Sequence, residues 1–312
     1  MFKPFSIIKW LILIATYLFL GYKLATFNHY NEFLKEWKQI PLTQFVWLLG
    51  VFALLPFNWF LEAIKWKMLC SNIQKLSFVT AIKAVLAGIS SGFFTPNRVG
   101  ELVGRIMFLN VENRKSGVTL SVVNSLTQNI VMALCGIPAF IFFYLKASEK
   151  LEINMVQYVG ALATCILVFS IFYFCLPLLS KRLKISKMAA KITPFTDCLT
   201  GYKFTYLVSI MLVSMLRYTV FCTQFYLMLS FFSIDLTVWQ AIICIPSIYL
   251  LVTFTPSLAF SEVAIRSSFA VLIIGAYSHN IVGIALAGMC LWIINFVLPM
   301  LMGSVIMVRA KF

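Results

Sequence analysis

The chain has 312 residues, 62% of them hydrophobic and 11% charged, with 25 basic and 10 acidic side chains for a net charge of +15. That composition excludes an ordinary soluble domain and places the chain among polytopic membrane proteins. The basic excess fits loops resting against anionic lipid heads, and nucleic acid is not an expected partner, since no soluble basic domain remains to bind it.

Six stretches are long and apolar enough to cross a bilayer, about 6–26, 43–64, 117–145, 155–179, 204–232 and 281–308. The first follows Met1 to Lys9 and has no small-residue cleavage site near Thr26, so it is expected to be retained. Two further apolar units, about 77–110 and 237–278, are each interrupted by a Thr-Pro pair. Loop charge decides whether these units cross. If they re-enter and return to their own side, Lys65, Lys67, Lys75, Arg114, Lys115, the cluster Lys181, Arg182, Lys184, Lys187 and Lys191, and finally Arg309 and Lys311 all fall on one face. Segments 233–236 and 278–280 then face outward without Lys or Arg, and 22–42 is a mild exception, its Lys23, Lys35 and Lys38 offset by Glu32 and Glu36.

The expected fold is therefore an all-α polytopic membrane protein with about six full spans and two re-entrant helical hairpins. The hairpins would enter from opposite sides, as in an inverted repeat with halves at about 5–146 and 155–308. The basic loop 180–203 and both termini are expected in the cytoplasm. Within that loop, 185–195 reads either as a basic amphipathic surface helix or as a solvated loop.

Within the first hairpin, Phe94 to Arg105 reads FTPNRVGELVGR; within the second, Phe254 to Arg266 reads FTPSLAFSEVAIR. Both place a glutamate four residues before an arginine, and the pair of copies points to internal duplication. Pro96 suits the first turn of a helix capped by Thr95, so 77–93 and 97–109 read as half-helices whose junction favours an anion. On a continuous helix Arg98, Glu101 and Arg105 share one face, a net positive cluster beside Asn97 suited to phosphate. The second copy supplies Thr255, Pro256, Ser257, Ser261, Glu262 and Arg266, with hydroxyl donors where the first has Arg98. The plainer alternative is that each Glu–Arg pair only neutralises itself.

Arg217 lies mid-span with Gln224 two turns later on the same face, which marks it as bundle-facing. Asn124 and Gln128, at i and i+4, serve helix–helix hydrogen bonding or substrate contact equally well. Lys65 and Lys67 flank Trp66 at a membrane edge, where interface anchoring is the default and a headgroup contact the sharper reading. The eight cysteines have no C-x-x-C spacing, and no metal site, cofactor motif or catalytic constellation is recognisable.

Glu62 with Lys65 and Trp66, the run Gly92 to Glu101 with Arg105, then Ser214 with Arg217 and Pro256 to Glu262 resemble the lysylphosphatidylglycerol synthase transmembrane-region family. The resemblance extends from about residue 5 to 308. It departs where Ser257, Leu258, Ala259, Phe260 and Ser261 replace a usually glycine-rich run. The resemblance implies flippase-like translocation of an anionic phospholipid or lipid-linked headgroup in the cell (cytoplasmic/inner) membrane. It also implies, in a chain ending at Phe312, no attached aminoacyltransferase domain. Two other readings stay open: a non-catalytic membrane partner of a separate lipid or glycan synthase, and a polyprenyl-phosphate-dependent glycosyltransferase with Glu101 or Glu262 as base.

Overall fold

A computed structural model of the chain describes residues 40–93, 95–147, 155–185, 193–257 and 259–310, and among them there are helices and turns but no strand. The expected first span at 6–26 and most of 185–195 lie outside the described residues. Helix α1 runs Phe45–Cys70, α2 Phe78–Gly92, α3 Glu101–Ile106, α4 Arg114–Ala147 and α5 Met155–Ile185. After them come α6 Phe204–Phe231, α7 Val238–Phe254, α8 Ala259–Ile274, α9 Ile281–Trp292 and α10 Leu298–Arg309. Four stretches, Leu42–Cys70, Val111–Lys146, Phe204–Phe231 and Ile281–Arg309, are long and apolar enough to cross a membrane. The protein is an all-α polytopic membrane protein. The 31-residue α5 covers the further span expected at 155–179.

The two broken units are hairpins whose arms are too short to cross. At 1.5 Å per residue α2 reaches about 22 Å and α7 about 25 Å, against a hydrocarbon core of roughly 30 Å. Their starts are set by local chemistry. Ser77 accepts the Thr80 amide at 3.1 Å to open α2, and Thr237 with Gln240 forms a reciprocal capping box that opens α7.

One end of the bundle gathers the loops rich in Lys and Arg. There the Tyr206 hydroxyl meets Ser71 Oγ at 3.0 Å, Asn110 N–H donates to Gln74 at 3.0 Å, and Lys184 pairs with Asp197 at 2.9 Å. At the other end Gln44 reaches Ser233 at 2.8 Å and Asn280 reaches the Phe232 carbonyl at 3.5 Å. Helix α2 starts from the first end and α7 from the second, so the hairpins enter from opposite ends. Each packs on a helix distant in sequence: α2 against α10, α7 against α4, while α1 lies along α6. Gly303 permits the first contact, since a Cβ there would run into the Leu86 carbonyl oxygen. Leu49, Phe52, Leu167, Phe169, Leu212, Leu216 and Leu272 are exposed on the outer faces, as lipid-facing side chains are.

Candidate functional site

Helix α1, part of the apolar stretch Leu42–Cys70 that is long enough to span, carries a carboxylate that four side chains converge on. Glu62 is 1% exposed, and its Oε1 accepts Arg105 Nη2 at 2.7 Å and Asn124 Nδ2 at 2.8 Å. Its Oε2 lies 3.0 Å from Lys65 Nζ and 2.9 Å from Arg217 Nη1. Desolvating one such ion costs several kcal/mol, and a carboxylate persists there only when paired this fully. Arg217 is steadied by Asn58 Oδ1 at 2.7 Å and by Gln128 Oε1 at 3.5 Å. Lys65, fully buried, donates to that same Gln128 oxygen and to the Asn124 carbonyl.

A second carboxylate gathers the hairpins. Glu262 takes Arg266 Nη2 at 2.8 Å on Oε1 and Arg98 Nη2 on Oε2. Arg98 also stacks 3.6 Å over the Phe296 ring, and Arg266 lies 5.3 Å from Tyr249, so both guanidinium groups rest on aromatic faces. Phe296 is placed by a π-helical segment, Ile293–Val297, between α9 and α10, a wide turn of the kind often found at functional positions. Asn97 bridges the tips. Its N–H donates to the Ser257 carbonyl at 2.9 Å, and its Oδ1 accepts the Ser257 N–H at 3.0 Å.

Between the two carboxylates lies a cavity of about 330 Å³ lined by Arg98, Arg105, Arg217, Arg266, Glu62, Glu101 and Glu262. Four arginines against three glutamates leave the wall positive, and Lys65 behind Glu62 adds a further charge. Arg105 Nη1, Arg266 Nε, Gln128 Nε2 and Asn295 Nδ2 are buried donors without a hydrogen-bond partner among the described residues. Among the acceptors of the lining, Asn124 Oδ1 is in the same condition and Glu62 Oε2 is held by its ion pairs alone. Buried polar groups are ordinarily partnered, and this excess of donors falls on residues that line the cavity.

The family profile described as the lysylphosphatidylglycerol synthase TM region matches residues 7–303. The chain belongs to that family. It is also similar to N-acetyltransferase 8 of Rattus norvegicus, 36% identical over 74 residues that make up 23% of this chain and 33% of the rat protein. The chain thus spans about a third of that relative's length. No solved structure matches the chain.

In this member of the lysylphosphatidylglycerol synthase transmembrane-region family, several expected positions differ from the sequence reading. The half-helix expected at 97–109 is interrupted. Pro96–Arg98 is a single 3₁₀ turn in which Asn97 and Arg98 have φ of 47° and 58°, and α3 begins only at Glu101. A left-handed backbone of this kind at a long side chain costs about 1–3 kcal/mol. Arg98 therefore does not share a helical face with Glu101 and Arg105; it faces the cavity from a turn. Thr95 does not cap a helix: it donates to the Gly92 carbonyl at 3.0 Å and accepts the Gly100 N–H at 2.7 Å, closing that turn with Pro96 exposed.

Lys65 and Trp66 are not interfacial anchors, because both are fully buried, whereas Lys67 is exposed. Gln224 stays outside the cavity and donates to the Val51 carbonyl at 3.0 Å, a helix–helix bond. Ser261 is not part of the lining; Thr255 and Ser257 are, although the Thr255 hydroxyl is spent on the Leu251 carbonyl at 2.7 Å. Asn124, Gln128, Arg217 and both Glu–Arg pairs line the cavity together, with Glu101 to Arg105 at 3.1 Å. Sequence reasoning missed the hub role of Glu62 and the contributions of Asn58, Asn295, Tyr249 and Phe296. An acid mid-span, three residues before a lysine, is the signal that marks Glu62.

Proposed function

We propose that this chain is a lipid translocase whose cavity takes the phosphate of an anionic phospholipid or lipid-linked headgroup and carries it between leaflets. The observation that carries this reading is the surplus of buried donors on a positive wall at bilayer depth. Guanidinium groups offer paired N–H donors matched to phosphate oxygens, and here Arg105 and Arg266 each keep one such donor unused. Glu62 and Glu262 hold the arginines in place without neutralising all of them. Entry of the hairpins from opposite ends, and the reciprocal packing of each on the other half's closing helix, support an inverted repeat of about 5–146 and 155–308 that rocks around the central site.

The basic end of the bundle is assigned to the cytoplasm and the chain to the cell membrane, on the distribution of Lys and Arg. No chemical step is assigned to the glutamates, which are spent on ion pairs rather than placed beside a nucleophile. The acetyl transfer in the rat protein's name is not carried over, since the match covers a minor part of both chains.

The test is a leaflet-resolved assay in proteoliposomes, with fluorescent lipids bearing phosphate headgroups against a phosphate-free one. Wild type should move the former selectively, and Arg98→Ala and Glu101→Gln should lose that movement while remaining folded in the membrane. Wild-type movement by Arg98→Ala sinks the assignment. Absence of movement by wild type with any of the lipids, joined to co-purification with a synthase, puts the partner-subunit reading ahead.

A further inference from the structure

We propose that the two hairpin tips form a latch over the cavity, and that a phosphate group opens it by competing with Glu262 for Arg98. The inference rests on the phosphate reading of the cavity and adds to it how the site is gated. Among the described residues the tips meet through Asn97 N–H to the Ser257 carbonyl, Ser257 N–H to Asn97 Oδ1, and the Arg98–Glu262 ion pair. Because α2 and α7 enter from opposite ends, these contacts join the halves at mid-depth, and any rocking of one half on the other must break them.

The latch is built to release on one side. Arg98 and Asn97 both hold left-handed backbone, a conformation that persists only while surrounding contacts impose it. The Arg98 side chain is 28% exposed, whereas Glu262 is 8% and Arg266 5% exposed, so the group a ligand can reach is Arg98. Glu262 would not be stranded by the loss, because Arg266 remains on its other oxygen at 2.8 Å. An incoming phosphate offers Arg98 a second anion in a cavity whose wall also carries Arg105 and Arg266. The Arg98–Phe296 stack ties the π-helical segment to the same event.

Hydrogen exchange with mass spectrometry, read at the Asn97 and Ser257 amides, tests this in the intact protein. In phosphate-free maltoside micelles both amides should exchange slowly. Adding phosphatidylglycerol should speed both by about tenfold or more, the effect of losing a hydrogen bond to a charged group read through a local opening equilibrium. A parallel arm with inorganic phosphate separates the sources: acceleration there too means the free anion suffices, and acceleration by the lipid alone means the headgroup in its bilayer setting is the trigger. Glu262→Gln should exchange fast without any addition. Asn97→Gly, which suits the left-handed backbone, should expose the Ser257 amide while leaving the residue 97 amide slow.

Fast exchange of both amides in micelles alone overturns the latch. So does unchanged protection when native mass spectrometry shows phosphatidylglycerol bound to the same sample; that result leaves the binding reading standing. Absence of bound lipid in wild type, with both amides unresponsive to lipid and phosphate, overturns the phosphate reading and the trigger with it.

Discussion

At the scale of single residues, Glu62 and Arg98 separate structural from functional charge. Glu62 has three cations around it and is almost fully buried, so removing its charge leaves Lys65, Arg105 and Arg217 facing one another with only Glu101, among the described residues, still paired to Arg105. Breaking a buried pair in this way costs about 3–5 kcal/mol. Glu62→Ala is accordingly expected to lower the unfolding temperature in detergent sharply, and Glu62→Gln somewhat less, since the amide still accepts from Asn124. Adding Lys65→Met to Glu62→Gln should return part of the loss, because one unpaired charge goes with it; additive losses in that double variant would contradict the hub. Arg98 is part-exposed and leaves Glu262 paired when removed, so Arg98→Ala should cost no more than about 1 kcal/mol of stability. Its effect belongs in transport.

The local part of this chemistry was legible before any fold. Glu101–Arg105 and Glu262–Arg266 form at i,i+4 because one helical turn brings them together. The rest was hidden because it is long-range: Arg105 meets Glu62 across 43 positions and Arg98 meets Glu262 across 164. Spacing arguments stop at the length of a helix. Lys65 looked like an anchor for the same reason, since nothing near it in sequence announces that α4 and α6 close over it.

At the scale of elements, both hairpins are punctuated where Thr-Pro pairs stand, but the two breaks differ. In the second, α8 resumes at Ala259 and runs 16 residues; in the first, only six helical residues follow the break. The sequence reading took Pro96 as a helix start, a role its fixed φ allows. Asn97, the residue type beside glycine that best tolerates a left-handed backbone, instead turns the chain so that its amide and side chain both face Ser257. Small residues then let the short arm pack. A Cβ on Gly104 would meet the Ala87 carbonyl oxygen, and one on Gly303 would meet that of Leu86, so α2 is held between α3 and α10 at backbone distance. Gly303→Leu has no rotamer that avoids this contact. It is expected to destabilise by about 1–3 kcal/mol or more through overpacking, read as a lower unfolding temperature, whereas Ser304→Ala beside it loses one hydroxyl bond to the Leu301 carbonyl and should change little.

At the scale of the whole molecule, charge is divided between the two ends of the bundle. The end that collects Lys75, Arg114, Lys115, Lys181, Arg182, Lys184 and Arg309 is also the end from which α2 starts; Asp235 and His279 stand at the other, with Lys146 closing α4 there. If the basic end faces the cytoplasm, as Lys and Arg in short loops ordinarily do, then Asn72 lies inside and Asp235 outside, and both are exposed. Single substitutions Asn72→Cys and Asp235→Cys make this a direct measurement with a membrane-impermeant maleimide, the unsubstituted chain setting the background from its own cysteines. In intact cells Asp235→Cys should label and Asn72→Cys should not, until the membrane is permeabilised. The reverse pattern would invert the chain and the leaflet from which α2 reaches the cavity. Labelling of both in intact cells would mean that these loops share a face, which requires an even number of crossings between them, with the 77–110 unit spanning instead of re-entering, and removes the basis for two oppositely entering halves.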